Sequence, residues 1–202
     1  MNNPFDQGYY NETELKQFGF ASVGKNVRIA RNTTIIGLKN ISIGNNVRID
    51  DYCIITAAQG FLKLGNNVHI GGNSQLTCAG GITIKNFSGC SSGVRMFSQS
   101  DDYTGRWLAG AATFPPGTDI ERYSKQHFGP ITLEKFVIIG ANSVVLPNVT
   151  LGEGAAVGAL SLVTKSLDPW GVYFGSPAKK IKNRSQRCVE IEQQYLNDTK
   201  EQ

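Results

Sequence analysis

Aliphatic residues return every six positions along most of this chain. The hexamers VGKNVR, IGNNVR, LGNNVH and LGEGAA open at Val23, Ile43, Leu64 and Leu151, each with an aliphatic first, glycine second and Val or Ala fifth. A second hexamer follows each first one, opening at Ile29, Ile49, Ile70, Cys90, Ile139 and Val157. A third opens at Ile35, Ile55, Leu76, Met96, Val145 and Val163. Three hexamers make one cycle, and first hexamers start at positions 23, 43, 64, 84, 133 and 151. Residues beyond eighteen per cycle always fall in the third hexamer, even in the cycle from 84 to 132, which is 49 residues long.

A period of six is neither the 3.6 of a helix nor the 2 of a long strand. It fits short strands joined by tight turns, three to a triangular coil. The aliphatics then point inward, and Gly and Asn supply the turn backbone. Such coils stack by parallel pairing and bury one continuous column, each repeat being stabilised by its neighbours. The expectation is an all-β fold of about six coils over residues 23–182. A loop insertion at 97–131 interrupts it with the polar, acidic, aromatic stretch MFSQSDDYTGRW. Before it, residues 1–22 contain NETELKQFGF, a short helix with Asn11 or Thr13 as cap and Gly19 as stop, placed to cover the open first coil. After it, residues 183–202 carry Cys188, Val189, Ile191 and Tyr195 at weakly helical spacing. The expected role of that C-terminal helix is to cap the other end or to contact a neighbour.

Composition narrows the classes. The 202 residues include 23 glycines and carry a formal charge of +4, too small to indicate a nucleic-acid partner. No apolar run is long enough to insert in a membrane, and the N-terminus has neither the basic nor the apolar region of a secretory signal. The four cysteines form no C-x-x-C pair, and Cys53, Cys78 and Cys90 fall at core positions of the repeat, so reduced core thiols in a cytoplasmic protein are expected. Triplets such as Asn148-Val149-Thr150 read as turns rather than glycan sites. Lys165, Lys179, Lys180, Lys182, Arg184 and Arg187 form a basic cluster diluted only by Asp168, which suits a phosphate-bearing ligand.

The repeat [LIV]-[GAED]-x-x-[STAV]-x resembles that of the left-handed parallel β-helix acyltransferases, over about residues 21–182. The segment from Ile139 to Lys182, with its closing GSPAK at Gly175 to Lys179, is similar to the acetyl-CoA end of sugar and nucleotide-sugar acetyltransferases. The stretches ELKQFGF, VRIDDY, VHI and SQSDDYTG resemble bacterial nucleotide-amino-sugar acetyltransferases such as those for dTDP-4-amino-4,6-dideoxyglucose. The resemblance implies a cytoplasmic homotrimer of O-antigen or lipopolysaccharide biosynthesis, with clefts between subunits, acetyl-CoA as co-substrate and no metal.

Direct attack on a thioester needs placement of both substrates, a route for the proton and an oxyanion partner. Small residues at Gly140, Ala141, Gly158, Ala159 and Ser161 offer a path for the pantetheine arm. The resemblance places Thr164, Lys165, Pro177, Lys179 and Lys180 near the adenine and phosphates, where lysines suit the charge. Of the two histidines, His127 lies in the insertion, and His69 ends a hexamer at a corner with its side chain outward, as Arg28 and Arg48 do in earlier coils. In related enzymes a histidine in a matching V-H-I context contacts the acetyl group, so His69 is the expected proton handler. Where many sugar O-acetyltransferases of this kind carry a base histidine, this chain has Asp101 and Asp102, suited to holding a sugar amine. Tyr103, Arg48 and Trp107 are the expected substrate contacts, and the rest of the insertion is expected to reach over a neighbouring subunit.

The acceptor class therefore favours an amine, with a hydroxyl acceptor and a non-enzymatic scaffold as alternatives. A zinc hydratase sharing the prism is excluded by its need for three histidines per metal.

Overall fold

The computed structural model describes residues 6–110 and 113–198. The parts of the N-terminal cap at 1–5, of the insertion at 111–112 and of the C-terminal segment at 199–202 lie outside the described residues. The repeat builds a three-sided parallel β-helix. Its first and third faces are six-stranded sheets, and its second face is an eight-stranded sheet. The strands Ser22–Val23, Ile41–Ile43, Leu62–Leu64, Ile82–Ile84, Ile131–Leu133 and Val149–Leu151 form the first face. Six complete coils are followed by the start of a seventh, where Leu167 bridges Leu151 and Gly171–Phe174 adds to the second face. The sequence pattern stopped one partial coil short because this turn departs from the hexamer.

The pattern of burial is that of the hexamer. From the second coil onward every position-one residue, from Ile43 to Val163, is buried. Position five points inward too, at Val27, Val47, Val68, Ser88, Val137 and Ala155. Turns between faces need left-handed backbone, and Asn26, Asn46 and Asn67 supply it with φ of 53, 56 and 55°. Higher on the same corner stand Phe87, Phe136 and Trp170, also left-handed, with rings packed on one another at 5.9 and 6.1 Å between centroids.

The chain's own first segment closes the lower end. The helix α1 (Glu12–Gln17) starts on an Asn11–Glu14 capping box and buries Leu15 against the first coil. The second helix, α2 (Arg187–Asp198), does not cap the last coil but lies beside the stack, with Val189, Ile191 and Leu196 exposed. A strand not foreseen, Lys179–Asn183, pairs antiparallel with Gly171–Phe174 and turns the chain back. Arg184 then donates from Nη1 to the carbonyls of Phe136 and Gly154, at 2.7 and 3.0 Å. From there α2 lies on the aromatic corner, with Tyr195 edge-on to Phe87 and buried Glu192 bridged to Lys135 at 2.5 Å.

The insertion leaves the stack in register: Ile82 pairs with Ile131 and Met96 with Val145 across it. The strands Arg95–Phe97 and Ile131–Leu133 belong to the coils, so the protruding part is 98–130, narrower than 97–131. Buried Ser98 roots it, its hydroxyl donating to Thr77 O at 2.7 Å and accepting from Gly80 N at 2.9 Å.

The column makes a sharp stability prediction. Ile82→Ala is expected to cost about 2–5 kcal/mol in denaturant unfolding, while Thr83→Ala, one residue away and outward, stays within about 0.5 kcal/mol. Equal losses at the two positions would contradict the alternation.

Candidate active site

The outward positions of the second face form a ladder. Its rungs pair Arg28 with Arg48, Arg48 with His69, His69 with Gly89, and Gly89 with Ile138. His69 is therefore a strand residue in mid-face; the corner is Asn67, where the chain turns, and by His69 it is extended again. Gly89 leaves a gap above it. A Cβ there would meet His69 O at 2.5 Å, so the rung is kept empty by backbone packing. The gap opens into a cavity of about 540 Å³ lined by His69, Gly89, Ser91, Phe87, Phe136 and Arg184, among others.

Arg48 and Asp50 lie two apart on one strand segment and so share a side with His69. Arg48 Nε donates to Asp50 Oδ1 at 2.6 Å, and His69 Nε2 lies 2.8 Å from Asp50 Oδ2. Burial works to raise the Asp50 pKa, but the hydrogen bonds and charges of His69 and Arg48 outweigh it and hold the carboxyl below its usual range. Arg48 is thus committed to a carboxylate of its own chain. Asp50 was not singled out in the sequence, although its spacing from Arg48 carried the signal.

The second place is the root of the insertion. Gln99–Asp101 and Gln126–Phe128 form an antiparallel ribbon in which Ser100 opposes His127 and Asp101 opposes Gln126. Alternation separates the two aspartates. Asp101 is on the Gln126 side and accepts from Gln126 Nε2 at 3.0 Å. Asp102 is on the His127 side, with His127 Nε2 at 3.0 Å from its Oδ2, and its Oδ1 accepts from the Thr104 amide and hydroxyl at 2.7 and 2.6 Å. The Thr104 hydroxyl and amide, then His127, hold Asp102 down at about 2. His127 thus has a carboxylate partner brought to it by the ribbon, which the chain order hid. It lines a cavity of about 610 Å³ with Ser100, Tyr103, Thr104, Leu146 and Thr164, among others.

Tyr103 and Thr164 line this one cavity together. Tyr103 is 87% exposed. Trp107 lines neither cavity and sits in the arm. Within one chain His69 and the ribbon with His127 line different cavities and are not brought together, because one stands on the second face and the other leaves the end of the third.

The proposed pantetheine path divides. Ser161 is buried, and its hydroxyl accepts from Gly175 N at 3.1 Å, so it is a core residue rather than a ligand contact. The amides of Gly140 and Gly158 are spent on Val157 O and Tyr173 O, and a Cβ on either would strike the next coil, so both are packing glycines. Ala159, Thr164, Lys165, Lys179 and Lys180 are exposed, and Ala141 is half-buried at a turn. Pro177 follows a cis peptide in the turn before Lys179.

The Asp102 contacts give a titration. Its folded pKa lies below the reference of 3.8, so the stability it contributes is complete above that value and is lost as pH falls through about 2. The Thr104 amide resonance is expected to titrate with a midpoint near 2. A midpoint near 4, that of a free carboxyl, would show that the grip on Asp102 is absent in solution.

Comparison with known proteins follows the whole chain. No family model matches it. The dTDP-4-amino-4,6-dideoxy-D-glucose acyltransferase of Escherichia coli is 40% identical over 184 residues, covering 91% of this chain and 93% of its own. AntD, an N-acyltransferase from Bacillus cereus solved with dTDP and 3-hydroxybutyryl-CoA, is 42% identical and superposes with a TM-score of 0.88 over 96% of this chain and 99% of its own. A hexapeptide-repeat acetyltransferase from Vibrio cholerae shares the fold alone, at 19% identity and a TM-score of 0.59, over 86% of this chain and 76% of its own. The chain belongs to the dTDP-4-amino-4,6-dideoxy-D-glucose acyltransferase family of hexapeptide-repeat, acyl-CoA-dependent enzymes.

Proposed function

We propose that this protein transfers the acetyl group of acetyl-CoA to the 4-amino group of dTDP-4-amino-4,6-dideoxyglucose, for O-antigen or lipopolysaccharide assembly, as a cytoplasmic homotrimer. One observation carries the chemical part: His127, held from behind by Asp102, lines a cavity that Tyr103 and Thr164 also line. The relatives support the substrates, since AntD was solved with dTDP-4-amino-4,6-dideoxyglucose and coenzyme A. A threefold assembly supplies what one chain lacks. It sets the second face of one subunit, with His69 and Arg48, against the ribbon of the next, and gives the arm bearing Trp107 and exposed Leu108 and Tyr123 a surface to cover.

In this reading the amine nitrogen attacks the thioester carbonyl, forming C–N. The tetrahedral intermediate collapses with C–S cleavage, and the proton lost by nitrogen ends on the departing CoA sulfur. Asp102 is already filled by Thr104 and His127, so it orients the imidazole, and His127 receives the amine proton in transit. Asp101, on the other side of the ribbon where Gln126 donates to its Oδ1, offers a carboxylate to the sugar ammonium before it is deprotonated. Ala141, Ala159, Lys165, Pro177, Lys179 and Lys180 form the CoA end of the proposed site, with the lysines on its phosphates.

The same imidazole–carboxylate pair also favours a second reading, because a hydroxyl acceptor needs a base more than an amine does. A thiol-release assay with amino and hydroxy forms of the dTDP-sugar separates the two. Release is expected with the amine only, and release with the hydroxyl alone would sink the first reading. Asp102→Asn is expected to lower kcat by about 10²-fold or more with acetyl-CoA KM little changed. Full activity in that variant would remove the ribbon pair from the chemistry.

A further inference from the structure

The chain has two histidines, and the one on the second face is held by a device that no family resemblance assigns. Asp50 divides its two oxygens. Oδ1 accepts from Arg48 Nε at 2.6 Å and lies 3.5 Å from the Tyr9 hydroxyl, while Oδ2 lies 2.8 Å from His69 Nε2. Tyr9 reaches this point from the segment before α1, where it bridges Ala30, and the Arg48 guanidinium stands 5.8 Å from its ring. Against the effect of burial, His69 and Arg48 hold the Asp50 carboxyl below its usual range, so it is ionised near neutral pH. An ionised carboxylate only accepts, so the ring nitrogen facing it must carry the hydrogen. In neutral imidazole the other nitrogen is then the acceptor. The side of His69 away from Asp50 is the rung left empty by Gly89, which opens to the cavity with Ser91, Ser92 and Arg184. Arg184 is the other charged group on that cavity, and its Nη1 is occupied by two carbonyls.

We propose that Asp50, braced by Arg48 and Tyr9, is a positioning residue that holds His69 as the Nε2–H tautomer and presents an unprotonated Nδ1 to the cavity beside Gly89. The functional consequence rests on the proposed function and adds His69, on the second face, as a second proton-handling group beside His127. The tautomer itself does not depend on that reading. Carboxylate-fixed tautomers matter in imidazole catalysis because exchanging the carboxylate for an amide lets the amide N–H donate to the ring and invert it.

Nitrogen NMR of histidine-labelled full-length protein above neutral pH reads this directly, with His127→Gln to assign the two rings. His69 is expected to show a protonated Nε2 and a bare Nδ1, and an Nδ1–H pattern in the unaltered protein overturns the proposal. Asp50→Asn is expected to invert or mix the tautomer and to lower kcat by about 10²-fold or more, with acceptor KM changed by less than about threefold. Asp50→Glu is expected to restore the tautomer and part of kcat. An unchanged tautomer in Asp50→Asn also overturns the proposal. If Asp50→Asn does not fold, as judged by circular dichroism, the spectrum of the unaltered protein decides alone. If the tautomer behaves as expected while His69→Gln keeps full kcat, the positioning by Asp50 stands and the proton-handling role of His69 fails.

Discussion

Backbone hydrogen bonds between coils stacked on one shared aliphatic column hold every other feature of this molecule in place. From the second coil onward each coil buries its position-one side chains against the coils on either side, and no coil could bury them alone. Because the stack spacing is that of paired strands, an outward residue meets its equivalent on the next coil at about 4.8 Å. That spacing is what lets Asp50 on one coil grip His69 on the next. The constraint also explains how the chain tolerates its insertion. The ribbon leaves after Phe97 and returns before Ile131, so the strands on either side pair as though it were absent.

The corners show a second use of the same geometry. Lower coils turn with Asn in the left-handed region, the cheapest choice after glycine. At the same corner, upper coils turn with Phe87, Phe136 and Trp170, for which this backbone is costly. The rings repay that cost by stacking and by seating α2, whose Glu192–Lys135 pair is enclosed there. The returning strand Lys179–Asn183 makes the seating possible and leaves its lysines exposed toward solvent. A basic tail in the sequence is thus divided into an exposed strand and an arginine, Arg184, committed to two carbonyls.

Each histidine faces a carboxylate, and the two pairs arise by different routes. Asp50 and His69 meet because the repeat sets them on neighbouring rungs. Asp102 and His127 meet because an antiparallel ribbon folds residues 25 positions apart onto each other. The first pair obeys the hexamer and the second obeys a local alternation that begins only where the hexamer stops. The same alternation assigns Asp101 and Asp102 to opposite sides of the ribbon and so to different partners, Gln126 and His127.

The hexamer by itself determined the prism, the inward column, the coil phase and the place of the insertion, because each follows from local spacing that repeats, and a single capping motif marked α1. The hexamer also marked His69 as outward, whereas Asp101, Asp102, Tyr103 and Thr164 were singled out by family resemblance and not by the repeat. Only the tertiary structure decided which contacts those residues make. Ser161, Gly140 and Gly158 read as ligand positions by their size, yet stacking turns them inward or consumes their amides. The path of α2 depends on an antiparallel strand with no hexamer in it. The partners of His69 and His127 depend on side chains brought across coils and across a ribbon, and hydrophobic spacing is silent on polar neighbours from distant positions.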